Sequence, residues 1–380
     1  MQRIDHPLPG QSLGQHTTVS SFHFGAPGAR PKAYIQASLH AEEIPAMLVA
    51  HHLRGLLEAA EHQGRLRGQV VLVPVANPIG LAQRVDHKPM GRFELDSSEN
   101  FNRHYPHLAS AVFAEVRDTL GPDADANVAS VRAAVGRYLH NWKPANALQG
   151  LRKTLASLAF DADLVLDLHC DCEAELHLYT EDACWPRIEP LARLLGVRAA
   201  LLASDTGASS FDECFSGLWW QLSARLASGA APGAVLIPLP QACASTTVEL
   251  RGEADVTHAL ALRDAHAILA YLQHEGILTG DQPVALPAPA CVATPLAGSQ
   301  TVKAGAAGVL VFRAAVGDTL AVGDAVADII DPLADSTVTV RAEVAGVLYA
   351  RTYDRYVLPH DDLANIAGSV AFRTGNLLGA

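Results

Sequence analysis

The stretch from Tyr34 to Leu57 constrains this chain more than any other part of it. Tyr34 to Ser38 reads as a buried strand, and the run from Ile44 to Leu57 carries apolar residues at helical spacing. Between them lies His40-x-x-Glu43, a histidine and a carboxylate three residues apart where a strand hands over to a helix. In α/β sheets, sites are built at the carboxyl ends of strands. Imidazole and carboxylate are both ligands for a borderline metal such as zinc, and two so close in sequence need a third from elsewhere. Taken alone, the same residues also fit a helix start whose acidic groups suit the dipole, beside a surface histidine.

The rest of the chain supplies a sheet around this corner. Residues 1 to 32 are rich in proline and glycine and read as an irregular lead-in with one edge strand, Thr17 to Phe24. The strand Ala33–Ser38 and a helix to about His62 follow. Gln69 to Pro74 is continuously apolar, as in a strand covered on both faces of a mostly parallel sheet. Gln83 to Pro106 is a long polar loop, a length that is usually functional in a compact domain. Leu108 to Phe160 is helical in pattern, with a break at Gly121-Pro122, and Asp163 to His169 is another buried strand. Further on, the pattern predicts strands at Glu175–Thr180, Arg198–Ala203, Ala234–Leu239 and Thr246–Leu250. It predicts helices at Ala183–Leu195, Asp212–Ala227 and Asp255–His274. Prolines and glycines around Gly276–Gln282 mark a boundary, beyond which short β-like runs alternate with Val-Gly-Asp turns. The expected organisation is a domain over 1–280, with a helical insertion at about 108–160, and a β-rich domain over 281–380.

Composition excludes several classes. With 380 residues, a formal charge of −12 and five scattered lysines, the chain has no basic face for nucleic acid. No stretch of 18 or more apolar residues reads as a membrane span, and no basic n-region precedes an apolar segment. The six cysteines lack the paired spacing of a disulfide framework, so reduced thiols and a cytoplasmic location are expected. Cys170-Asp171-Cys172, beside His169, reads as free buried cysteine rather than a metal site.

His169 ends one buried strand and His40 lies just past another, which puts both on the same rim of a parallel sheet. His40, Glu43 and His169 then form a set of three metal ligands with a position left open for water, the zinc-hydrolase arrangement. Asp167, two residues earlier, shares a strand face with His169. It either accepts the imidazole N–H or faces another buried donor.

These pieces have a familiar order. His40-x-x-Glu43, Asn77-Pro78, Arg92, Asn102-Arg103 with Pro106, Asp167-Leu-His169 and Thr247-Val-Glu249-Leu together resemble the succinylglutamate desuccinylase/aspartoacylase family of the zinc carboxypeptidase clan. The resemblance covers about residues 30 to 275. It implies a three-layer α/β/α sandwich around a mixed, mostly parallel sheet, with a small all-β carboxyl-terminal domain. It implies one zinc ion per chain on His40, Glu43 and His169, and Glu249 as the carboxylate that activates the nucleophilic water. Arg92 takes the place of an arginine that polarises the scissile carbonyl, and Asn102 and Arg103 match a pair that grips the substrate carboxylate. The sequence departs from the pattern in three places. Ser38 and Ala41 stand where glycines usually flank the motif histidine, Asn100-Phe101 stands where aspartate-leucine precedes the Asn-Arg pair, and the helical stretch 108–160 is long, so the pocket could be lidded differently.

The residue chemistry stands beside that resemblance. Glu249 is the charged residue of an otherwise uncharged strand end, so it is either paired, for example with Arg251, or functional. A planar guanidinium at Arg103 beside Asn102 suits bidentate carboxylate recognition. Arg84 reads as rim and Glu42 as a solvated charge. His177 either lines the pocket or is a structural histidine. Tyr349, Tyr353 and Tyr356 are candidates to reach the site from the β-rich domain. That domain resembles biotinyl and lipoyl carrier domains, but Lys303 is not at a hairpin tip, so no carrier role is expected. The leading expectation is a zinc-dependent deacylase of N-acyl amino acids. The alternatives are a carboxypeptidase-like metallopeptidase acting on short peptides and a non-catalytic binding protein. Small-molecule substrates and a homo-oligomer are compatible with all of this.

Overall fold

The computed structural model describes residues 1–10, 12–229 and 236–377. The chain opens with β1 (Gln2–Pro7), β2 (Thr18–Phe24), β3 (Lys32–Ala37), α1 (Pro45–His62) and β4 (Gln69–Val73). A single turn, α2 (Pro78–Leu81), and a small hairpin, β5 (Arg84–Val85) and β6 (Lys88–Pro89), lead to α3 (Leu108–Val116), α4 (Ala124–Asn141) and α5 (Ala147–Ala159). Then come β7 (Leu164–Asp171), β8 (Glu173–Ala174), β9 (His177–Thr180), α6 (Trp185–Leu195), β10 (Ala199–Leu202), α7 (Phe211–Ser228), β11 (Ala244–Gly252) and α8 (His258–His274).

The large sheet has the order β1-β2-β4-β3-β7-β11-β9-β10-β12, where β12 is Thr294–Pro295. Its middle strands β4, β3, β7 and β11 run parallel, and β9 enters antiparallel to β11. Burial on both faces explains the near-continuous apolar sequences of β4 and the first half of β7. One face is covered by Val49, Leu53 and Leu57 of α1 with residues of α6 and α8. The other is covered by α3, α4, α5 and α7, through Val112, Val135, Leu151 and Phe215 among others. The fold is the three-layer α/β/α sandwich expected, and the helices of the 108–160 stretch are part of one layer.

Two expectations need correction. Gln2–Pro7 forms a strand paired with β2, not irregular chain. Its side chains are mostly exposed, so it carries no apolar alternation to read. Ala234–Leu239 is not a strand where it is described: 236–239 are irregular, and 234 and 235 lie outside the described residues. Pro238 and Pro240 remove the donors a central strand needs, and Leu236 is exposed.

Asp163 locks the start of β7 into the sandwich. Its carboxylate accepts from Lys32 N (2.6 Å), Arg30 Nη1 (2.9 Å) and Arg132 Nη2 (2.8 Å). Burial alone raises this carboxyl, but the Lys32 N–H and Arg132 bonds outweigh it and leave its pKa lowered. Asp163→Asn should cost about 1–3 kcal/mol at pH 7 in a denaturant melt. A carboxyl with a depressed folded-state pKa stabilises above its unfolded value. The gap to wild type should therefore be full above about pH 4 and close as pH falls through the lowered value.

The carboxyl-terminal strands form two small antiparallel sheets. β13 (Gln300–Lys303), β20 (Asp362–Gly368), β18 (Gly346–Arg351) and β15 (Thr319–Leu320) make one. β17 (Ser336–Arg341), β16 (Ala325–Asp331), β14 (Gly308–Phe312) and β19 (Tyr356–Val357) make the other. They enclose their own apolar core, including Val302, Leu310, Ile329 and Leu348. This unit is tied to the large sheet at three points: β12 extends it beside β10, β8 pairs with β18, and Tyr349 and Ala350 pack on Ala199 and Leu201.

Candidate active site

The site lies at the carboxyl ends of the parallel strands. After β3 the backbone turns at Ser38, which has φ 59°, a left-handed conformation that glycine adopts more readily. Two bonds hold the turn: Ser38 N–H donates to Leu168 O (3.3 Å) and Ser38 Oγ to Glu43 O (2.9 Å). Asn77, after β4, caps α2 by accepting from Gly80 N (2.8 Å) and donates to Leu39 O (2.9 Å). Gly91 packs against the same corner, and a Cβ there would fall 2.3 Å from Glu42 N. Glu42 is accordingly not a free surface charge, since its carboxylate accepts from Gly91 N (2.7 Å).

This turn brings His40 and Glu43 beside His169 of β7. Glu43 Oε1 is 2.9 Å from His40 Nδ1, Glu43 Oε2 is 2.7 Å from His169 Nδ1, and all three residues are buried. The ligand atoms of the three lie within 4.8 Å of one another. The tautomer of His40 follows from its other nitrogen. Nε2 is 2.9 Å from Asn100 Oδ1, an oxygen that also accepts from Asn102 N–H at 2.8 Å. A backbone N–H is always a donor, so the shared atom is an acceptor and His40 Nε2 carries the hydrogen. His40 Nδ1 then turns a lone pair toward Glu43, and the guanidinium of Arg92 is the cation placed beside these two acceptors.

Without an ion, the electrostatics set the two imidazoles apart. Burial, then Arg92, push His40 down to about 4, so it is neutral at pH 7. For His169, burial lowers the pKa, but Asp167 and Glu43 outweigh it and raise it well above the ordinary histidine range. Burial also opposes ionisation of Glu43, yet His169 and His40 hold its carboxyl well below the usual carboxylate range. Asp167 bonds the other buried donor considered for it: Oδ1 accepts from Gln36 Nε2 (2.9 Å), while Oδ2 lies 3.1 Å from His169 Nε2 without making a hydrogen bond to it. The donors fit a divalent ion such as zinc, with two neutral-capable imidazoles and one carboxylate. Neither Cys170 nor Cys172 joins this group, and all six cysteines are free.

The other candidates surround this centre. Arg92 Nη1 is 3.3 Å from His40 Nδ1 and 3.5 Å from Glu43 Oε1. Glu249 on β11 is in register with His169 on β7, and its Oε2 is shielded from solvent without a hydrogen-bond partner. Burial, then the charge of Glu43, raise its carboxyl well above the usual range. Arg251 is not its partner, because it pairs with Asp264 at 2.7 and 2.9 Å. Asn102 Oδ1 accepts from Phe211 N (2.8 Å) at the start of α7, and Arg103 Nη1 donates to Asn102 O (2.8 Å).

Arg92, Asn102, Arg103 and Glu249 line one cavity with the His–Glu–His group, of about 600 Å³. None of the described residues from Leu108 to Phe160 lines it, so those helices do not lid it. Tyr349 does reach it from β18, with its hydroxyl 3.1 Å from Ser299 Oγ. Tyr353 and Tyr356 are exposed and do not line it, and Arg84 is exposed on the small hairpin. His177 is buried outside it, with Nδ1 2.9 Å from Glu175 O. Sequence reasoning missed the far wall, where Glu181, Asp212 and Glu213 face the cavity. Burial pushes Glu181 up to about 8 and Glu213 up to about 7. No spacing in the sequence joins those three residues.

A mixed-sheet sandwich with a buried His–Glu–His group at its strand ends defines a class, the α/β proteins with a candidate hydrolytic metal centre. The chain belongs to the succinylglutamate desuccinylase/aspartoacylase family, whose catalytic-domain description matches residues 29–275. The succinylglutamate desuccinylase/aspartoacylase family protein of Shewanella amazonensis SB2B is similar along nearly its whole length, at 26% identity and a TM-score of 0.81. That match covers 97% of this chain and 98% of the other. The corresponding protein of Shewanella frigidimarina NCIMB 400 has 24% identity and a TM-score of 0.80, with 97% of each chain covered. The ectoine utilization protein EutE (DoeB) of Ruegeria pomeroyi shares the fold at 15% identity and a TM-score of 0.66, over 96% of this chain and 95% of that one. No curated protein matches the chain. Among the described residues, no helix is long and apolar enough to cross a membrane.

Proposed function

We propose that this protein is a zinc-dependent hydrolase that cleaves the amide bond of an N-acyl amino acid. One observation carries the reading: a buried carboxylate held between two imidazole Nδ1 atoms, with the unpaired carboxyl of Glu249 facing the same cavity. His40, Glu43 and His169 would hold the ion. When bound, such an ion brings a water to a pKa of about 7 and polarises a carbonyl.

The chain's own groups do the rest. Glu249 takes the water's proton and returns it to the leaving amine, a transfer suited to a carboxyl that burial raises above the usual carboxylate range. Arg92 donates to the carbonyl oxygen as charge develops there. Arg103 and Asn102 hold the substrate carboxylate, Asn100 fixes the orientation of His40, and the charge of Asp167 lies beside His169. We further assign residues 1–280 to the catalytic domain and 281–380 to a β-rich domain that walls the cavity through Tyr349.

The test is amine release by the purified protein across acetyl-, succinyl- and longer-acyl amino acids, their carboxamides, and short peptides. The acyl amino acids should turn over, and the carboxamides should be poor substrates. Arg103→Lys keeps the charge but loses the planar fork. It should raise KM by about 10- to 100-fold for carboxylate substrates, the worth of one charged hydrogen bond. Equal losses on acids and carboxamides would remove Arg103 from that role, and turnover of peptides alone would favour a carboxypeptidase-like activity.

A further inference from the structure

Arg152 lies on α5, a helix that contributes nothing to the cavity wall, yet it is only 3% exposed and reaches the loop that does. Its Nη1 donates to Glu99 Oε2 (2.7 Å) and its Nη2 to the backbone oxygen of Asn100 (3.1 Å). That loop is a narrow hairpin. Phe93 bridges Asn100, Glu94 N donates to Glu99 O (2.8 Å), and Phe101 N donates to Arg92 O (3.1 Å). One leg delivers Arg92 to Glu43. The other delivers Asn100 to His40, and then Asn102 and Arg103 to the cavity.

We infer that Arg152 is a positioning residue for the metal centre, clamping this hairpin from behind so that Asn100 holds His40 with its Nδ1 lone pair inward. The inference rests on the reading of His40, Glu43 and His169 as metal ligands. Asn100 links Arg152 to His40, because its carbonyl accepts from Arg152 while its side-chain oxygen accepts from His40 and Asn102 N. Its Nδ2 is buried without a partner, so no bond from that end helps fix the amide. A stability role alone explains Arg152 poorly. A buried guanidinium is expensive to desolvate, its Nε is left unpaired, and its carboxylate partner Glu99 is 42% exposed. A planar fork is, however, what spans a carboxylate and a neighbouring carbonyl together, which a lysine does not do.

The test uses full-length protein, with zinc affinity measured at 25 °C by competition with a chromophoric chelator beside a thermal melt. Arg152→Met should weaken zinc binding 10- to 100-fold, the range for loss of a group that orients a metal ligand. Arg152→Lys should show a smaller loss of the same sign. KM for carboxylate substrates should rise in both, since Asn102 and Arg103 share the displaced leg. A variant with a lowered melting temperature but wild-type zinc affinity overturns the inference and leaves Arg152 a structural residue. Should the Met variant fail to fold, the Lys variant decides by the same criterion. Wild-type protein that takes up no zinc overturns the metal reading itself, and this inference with it.

Discussion

Glu249→Gln should leave metal content near one ion per chain and lower kcat by roughly 10²–10⁴, the range for a lost general base. The substitution is nearly isosteric, and Glu249 is not among the three groups that converge as ligands. It also removes a carboxyl that has no salt bridge to lose, since Arg251 is committed to Asp264. Folding should therefore be little affected. KM should move little, because the lost proton transfer belongs to the transition state. Paired measurements of metal content and steady-state kinetics check this. Wild-type turnover in the variant would show that Glu249 is not the base, and loss of metal would show that it is a ligand.

His169→Ala should behave differently, losing both metal and activity. Removing this imidazole leaves two protein ligands, and zinc sites in hydrolases are built on three. It also leaves Glu43 Oε2 with one remaining bond, from Cys170 N at 3.1 Å, and Asp167 Oδ2 facing an empty place. An uncompensated buried carboxylate is costly, so the variant should be less stable as well. Elemental analysis and a thermal melt on the same sample separate the two effects. Full metal content in a folded His169→Ala protein would remove His169 from the ligand set.

Much of this arrangement is legible from sequence because apolar strands end in polar residues that have no structural reason to be there. Lys32–Ala37 and Leu164–Asp171 are buried throughout or nearly so, and His40 and His169 stand out at their ends. The same logic finds Glu249 on β11. It fails where the signal is not apolar periodicity. β1 is an exposed edge strand, and the irregular segment after residue 235 looks apolar but is broken by prolines. Arg152 carries no mark of its role, since it sits in a helix more than fifty residues from the hairpin it clamps. Tyr349 lies 180 residues beyond His169 and reaches the cavity because β18 pairs with the two-residue strand Glu173–Ala174, too short to read from the chain. Ser38 is the opposite case. Its departure from glycine was visible in sequence, but only the left-handed φ shows what glycine would have supplied there.

His40, Glu43 and His169 are proposed to bind the ion on which amide hydrolysis depends. The most direct measurement is titration of chelator-stripped protein with zinc while following amine release from an N-acyl amino acid. Release from the stripped protein should be negligible, recovery should saturate at one equivalent per chain, and His169→Ala should not recover. Undiminished turnover by protein shown to be metal-free would contradict that assignment.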